Sequence, residues 1–312
     1  MSLRNLSGDA KDTTKARYDN QKEEKMPDII RRSPPGALLG EGPLWSRRDN
    51  CVYWVDILGN RLHAYYLDNS ARTWQFPEHV TWVIEREQGG FIAGLMSGFA
   101  EVTLDPLTIK HIANPYPHEP ENRLNDAKAD DRGRIWAGSM HKPIEKISGA
   151  FYRLNVDLTV QEVDGPYKIA NGPAFTADHR TVYHTDTDLG EVYVFDIDDH
   201  GELTNKRLFI KFTEEMGGPD GMTTDAQGGL WIAHWGPGRV TRFKADGTED
   251  FHIDLPAKQT TSPCFAGENL DRMFVTSAAE GLPEDREAGT LFEIPSECLR
   301  GHTGLEPQKF KG

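Results

Sequence analysis

Six times along this 312-residue chain a short loop, an aromatic strand and a second amphipathic strand return in the same order. The copies read EGPLWSRRDNCVYWVDI, TWVIEREQGGFIAGLMS, NDAKADDRGRIWAGSMH, NGPAFTADHRTVYHTDT, DGMTTDAQGGLWIAHWG and SPCFAGENLDRMFVTSA. They begin at Glu41, Thr81, Asn125, Asn171, Asp220 and Ser262, so successive copies lie 40, 44, 46, 49 and 42 residues apart. A strand of a sandwich with its turn takes about 8–12 residues, whereas a four-stranded propeller blade takes roughly 40–50. Between the copies, alternating runs such as RLHAYYLD, EVYVFDID and RVTRFKADG sit between Gly-, Asp- and Asn-rich turns, and helical periodicity is scarce. The expectation is all-β: a six-bladed β-propeller of four-stranded antiparallel blades around a central channel, formed as one domain by residues 27–312. The ring must close, and the segment PDIIRRSPPGALL before the first copy is expected to supply the outer strand of the last blade.

Residues 1–26 are charged throughout, lack the apolar stretch of a secretory signal, and read as a flexible N-terminal tail. No apolar run approaches the roughly 20 residues of a membrane helix, so no membrane span is expected. A net charge of −14 repels phosphate backbones and anionic lipid surfaces, which argues against nucleic acid as a partner. Cys51, Cys264 and Cys298 form no CxxC pair, which argues against a disulfide framework and a thiolate zinc site and makes a cytoplasmic location the expectation. A monomer or weak homo-oligomer is expected.

Each blade presents its innermost strand to the channel, so side chains at one repeat position meet around the axis. The first residues of four copies, Glu41, Asn125, Asn171 and Asp220, carry oxygens able to bind a hard cation, and their combined charge of −2 matches one divalent metal ion. Each has a plainer reading. Asn-Asp, Asn-Gly and Asp-Gly are ordinary turn dipeptides, and Glu41 between two glycines suits a solvated loop. Turn chemistry gives no reason for four such residues to share a repeat position, and a metal at the axis does.

These residues sit in stretches, GEGPLW, VYWVDI, NRLNDAKADDRGRIWAGSM, NGPAFTADHRTVYHTDT, GGPDGMTTDAQGGLWIA and GRVTRF, whose order and spacing resemble the regucalcin (senescence marker protein) and gluconolactonase family from about Leu39 to Ile294. The resemblance implies a six-bladed propeller whose metal is held by Glu41, Asn171 and Asp220, with Asn125 close to metal and substrate. It also implies hydrolysis of a small-molecule sugar lactone such as glucono-, xylono- or arabinonolactone. Asp220 is then the candidate catalytic base as well as a ligand. Arg123, two residues before Asn125, matches an arginine that the family places over the substrate, and its planar fork of donors suits sugar hydroxyls. Animal members carry a glutamate on a lid loop beyond WAGSM. Here that loop reads HKPIEKISG, with Pro143 at the position and Glu145 two residues on.

His79, His141, His184 and His234 show no H-x-H or HExxH spacing, so an oxygen-bound ion (Ca²⁺, Mg²⁺, Mn²⁺, Fe²⁺ or Zn²⁺) is expected over a histidine-bound zinc. The tryptophans Trp45, Trp54, Trp82, Trp136, Trp231 and Trp235 recur at blade positions and are expected to pack blade against blade. Two other functions stay open: a calcium-binding regulatory propeller without catalysis, and a calcium-dependent phosphotriesterase or broad lactonase.

Overall fold

The computed structural model describes residues 28–34 and 36–312; the expected N-terminal tail lies outside the described residues. Within them, six four-stranded antiparallel sheets follow one another in chain order, covering residues 40–75, 80–113, 122–167, 170–211, 218–254 and 260–294. These are the six blades. In the first five the strands pair strictly with their sequence neighbours, while the sixth takes its outer strand, Ile30–Arg31, from the start of the chain. Ile30 pairs with Glu293 and Arg31 with Phe292, so the segment expected to close the ring does so.

The inner strands are Gly40–Ser46, Val80–Glu85, Asn122–Ala129, Ala170–Phe175, Gly218–Thr224 and Thr260–Ala266, and each starts within four residues of the first residue of its sequence copy. Local chemistry sets the hairpins that follow. Asp130 and Asp225 accept hydrogen bonds from turn N–H groups and, through the other oxygen, from the indoles of Trp136 (2.8 Å) and Trp231 (2.7 Å). One carboxylate thus fixes both the turn and the tryptophan it delivers to the core. Arg134 and Arg242 neutralise the two aspartates at 2.7 Å.

Apolar side chains collect between neighbouring blades. Tyr53 and Val83 share a cluster across blades 1 and 2, Trp136 and Phe175 one across blades 3 and 4, and Tyr183 and Met222 one across blades 4 and 5. Trp82, Trp136 and Trp231 are fully enclosed, as a packing role requires; Trp235 is half-buried, at the end of its strand.

After the last blade the chain recrosses the ring. Thr303 and Gly304 bond to Ala226 and Leu270 of blades 5 and 6, and Phe310 exchanges backbone hydrogen bonds with Glu85 and Glu87 of blade 2. Lys311 N–H then reaches Gly133 of blade 3, and Phe310 is fully buried against the core shared by blades 2 and 3. Between these anchors, residues 305–308 line a cavity of about 100 Å³, whose walls also include Trp82, Lys128, Phe175 and Cys264. Burial pushes the Cys264 thiol up to about 12, the opposite of what a nucleophile needs.

Candidate metal centre

In all six inner strands the ladder to the second strand slips: between Glu41 and Leu44, Val80 and Trp82, Leu124 and Ala127, Asn171 and Ala174, Pro219 and Met222, and Thr260 and Pro263. A bulge of this kind breaks strict side-chain alternation and re-aims side chains. Glu41 and Asn171 are the last paired residues before their bulges, opposite Val55 and Thr185, whereas Asn125 and Asp220 lie inside theirs. The single repeat position expected from sequence is therefore two adjacent ladder positions. The bulges make up the one-residue difference. Glycine is needed after Glu41 and Asn171, because Gly42 and Gly172 adopt φ of 53° and 76° and a Cβ on either would crowd the next blade, at Thr81 and Met222.

All five expected residues lie at one end of the channel, where Glu41, Arg123, Asn125, Asn171 and Asp220 are 3–7% exposed. Asn171 Nδ2 donates to Asp220 Oδ1 across the junction of blades 4 and 5, where Thr187 Oγ also donates to Pro219 O at 2.8 Å. The Glu41 carboxylate accepts from Gly42 N–H at 3.0 Å and the Asn171 amide oxygen from Gly172 N–H at 3.2 Å. Arg123 Nη1 donates to Asn125 Oδ1 (2.6 Å) and to Leu124 O (3.0 Å), and Asn125 Nδ2 donates to Ala170 O (2.9 Å), which joins blade 3 to blade 4. Arg123 and Asn125 thus form one fixed unit beside Asn171 and Asp220.

A further carboxylate belongs to this cluster. Asp126, next to Asn125 in the same bulge, is buried; Oδ1 accepts from Ala127 N–H at 2.7 Å, while Oδ2 has no hydrogen-bond partner among the described residues. Sequence reading passed over it as the second half of a turn dipeptide, and its place directly after a candidate ligand on an inner strand was the available signal. Burial is the main force pushing Glu41 well above the usual carboxylate range, followed by repulsion from Asp220 and Asp126. Asp220 rises for the same first reason and then through Asp126. Burial lifts Asp126 to about 6 against the pull of Lys128. Burial lowers Arg123, which Glu41, Tyr116, Glu280 and Asp220 counteract.

Three carboxylates are therefore buried together, with Arg123 drawing on Glu41 and Asp220 and Lys128 on Asp126, and an oxygen of Asp126 remains unpartnered among the described residues. Crowded buried carboxylates are costly to ionise, and a divalent cation among these oxygens offsets their mutual repulsion. The donor set of carboxylates and amides is hard, suited to Ca²⁺ or Mg²⁺ and compatible with Mn²⁺, Fe²⁺ or Zn²⁺ with added waters. Among the described residues no three His, Cys, Asp or Glu side chains converge as a metal cluster of their own, so the amides are essential to the fit. The histidines are engaged elsewhere: His184 packs on Phe151 and Tyr167, His234 meets Met216 O, His141 faces Glu121 and His79 bonds Asn60. Glu145 of the 142–148 loop is exposed, its N–H donating to His141 Nδ1 at 3.3 Å.

Comparison with known proteins places this site in context. The chain is 35% identical to a 6-deoxy-6-sulfogluconolactonase from Pseudomonas putida over 84% of its length and 90% of the relative. It is 34% identical to an L-arabinolactonase from Azospirillum brasilense, over 88% of this chain and 92% of that one. Among solved structures, a calcium-binding protein, regucalcin, from Agrobacterium tumefaciens superposes with a TM-score of 0.84 at 27% identity, covering 91% of this chain and 97% of the other. Residues 39–279 match the family described as SMP-30/Gluconolactonase/LRE-like region, and the chain belongs to that family.

Proposed function

We propose that this protein is a metal-dependent hydrolase of sugar lactones, with Glu41, Asn171 and Asp220 holding one divalent ion. The observation that carries the proposal is the buried, crowded carboxylate cluster beside the fixed Arg123–Asn125 unit. Relatives named 6-deoxy-6-sulfogluconolactonase and L-arabinolactonase support the reaction class. When bound, the ion supplies Lewis-acid polarisation of the lactone carbonyl and lowers the pKa of water. Asp220 has one oxygen on Asn171 and accepts the proton of the attacking water. Among the described residues Arg123 hydrogen-bonds through Nη1 alone, and its remaining N–H groups orient the ring oxygens of the substrate. Asn125 keeps that guanidinium in place and holds the substrate against it.

Steady-state hydrolysis of glucono-, xylono- and arabinonolactone by Asn171→Ala and Asp220→Asn, each checked for wild-type circular dichroism, tests the assignment. Loss of at least a hundredfold in kcat with the fold intact is expected; near-wild-type turnover in both variants contradicts it. The similarity to the calcium-binding regucalcin of Agrobacterium tumefaciens supports a second reading, in which the same oxygens bind calcium without turnover. Tight calcium binding with no hydrolysis of any lactone selects that reading.

A further inference from the structure

The second strand of every blade finishes beside the start of the inner strand: Gly40 faces Asp56, Val80 Leu95, Asn122 His141, Ala170 Asp186, Gly218 Trp235 and Thr260 Ser277. The six connections that follow these pairs therefore surround the channel end that holds Glu41 and Asp220. At or next to four of them the chain places an apolar side chain, Met96, Ile144, Leu189 and Leu282, half-buried or exposed, whereas Leu58 and Trp235 at the other two pack against the core that spans blades 1 and 2. Ile144 is 41% and Leu189 50% exposed, and Ile147 on the same loop as Ile144 is 64% exposed. Large aliphatic side chains gain by leaving water, so those that stand exposed at this channel end are poised to cover an apolar surface.

The loop over blade 3 is held in this presentation. Ile144 adopts φ of 60°, a left-handed conformation disfavoured for a β-branched residue. Its N–H donates to His141 O at 2.9 Å and the next N–H to His141 Nδ1 at 3.3 Å, with His141 itself buried. The anchored imidazole fixes the turn, and the two isoleucines stay outward at the opening.

We propose that these apolar side chains give the site a further activity, hydrolysis of lactones bearing an alkyl substituent; the inference rests on the lactonase reading above. They stand at the channel end that holds the buried polar site, so their occupant is the part of a substrate that remains outside when the lactone ring is bound. The chemistry is unchanged: the oxygen of water bonds to the acyl carbon, the ring C–O bond breaks, and the ring oxygen leaves as a hydroxyl, giving a hydroxy acid. Alkyl chain length is read by Ile144 and Ile147, and sugar hydroxyls by Arg123.

The test measures kcat/KM of the metal-loaded full chain on glucono-δ-lactone, γ-butyrolactone, γ-hexalactone and γ-octalactone. It compares wild type with the double variant Ile144→Ser, Ile147→Ser and with Val156→Ser, an exposed apolar residue in the blade 3 turn at the opposite end. In wild type, kcat/KM is expected to rise about twofold to fourfold per added methylene. The double variant is expected to flatten that rise while gluconolactone turnover and the Val156→Ser profile stay at wild type. Hydrolysis of gluconolactone with no dependence on chain length overturns the proposal and leaves the lactonase reading standing, as does an equal loss on both substrate types in the double variant. Failure to hydrolyse any lactone overturns the lactonase reading itself, and this proposal with it.

Discussion

Replacing Asp220 by Asn should stabilise the metal-free protein while removing its response to metal. Oxygens that share one hard cation at about 2.3–2.6 Å from it lie within roughly 5 Å of one another. Two unit charges at that separation repel by about 3 kcal/mol at an effective dielectric of 20. Asp220 faces repulsion from Asp126 and itself raises Glu41, and both are buried. The amide keeps an oxygen for the hydrogen bond from Asn171, so the exchange removes charge with little change of shape. Allowing for relaxation of the cluster, a gain of about 1–3 kcal/mol is expected, which at about 2–4 °C per kcal/mol raises Tm by several degrees. The assay is thermal unfolding of chelator-treated wild type and Asp220→Asn, each repeated with excess Ca²⁺, Mg²⁺ or Mn²⁺. Wild type should gain Tm with at least one ion and the variant should not, because binding to the folded state alone stabilises by mass action. A metal-free variant less stable than wild type, or one that still gains Tm with metal, refutes the electrostatic reading of the cluster.

Acid stability offers a separate check: burial lowers His184 to about 3 and His234 to about 4, so the unfolded chain takes up protons below about 6.5 that the folded state refuses. Their contribution is complete above pH 6.5 and is lost as pH falls toward 3–4, at roughly 1 kcal/mol per pH unit for each histidine. Urea unfolding between pH 7 and 5 should show that slope reduced by about one histidine's share in His184→Phe; an unchanged slope contradicts it. Phe310→Ala removes a fully buried ring that pins the recrossing segment to blades 2 and 3, and should cost about 3–5 kcal/mol and on the order of 10 °C in Tm. A Tm within a degree or two of wild type shows that the segment is dispensable. Gly221→Ala places a Cβ 2.3 Å from Ser262 Oγ and so displaces the strand that carries Asp220; metal-dependent Tm gain should fall well before the metal-free Tm does.

The six-blade architecture was legible because each blade repeats one hydrophobic pattern at its own length, and the closing strand because Ile30 and Arg31 sit where a ring lacks a partner. What escaped were consequences of pairing between distant segments. The bulges shift Glu41 and Asn171 one ladder position from Asn125 and Asp220, and no local propensity marks a slipped register. Asp126 looked like half of a turn because Asn-Asp is common in turns, and only the fold shows it enclosed beside two other carboxylates. The course of residues 303–312 carries no periodic signal; its contacts with Leu270, Ala226, Glu85 and Gly133 are set by tertiary structure.

On the proposed function, this oxygen-lined channel end uses a divalent ion to open sugar lactones. Acid release from glucono-, xylono- and arabinonolactone by chelator-stripped protein, before and after each divalent ion is restored and with spontaneous hydrolysis subtracted, tests it most directly. Negligible turnover when stripped and recovery with at least one ion are expected. Full turnover without metal, or none with any ion and lactone, contradicts the claim.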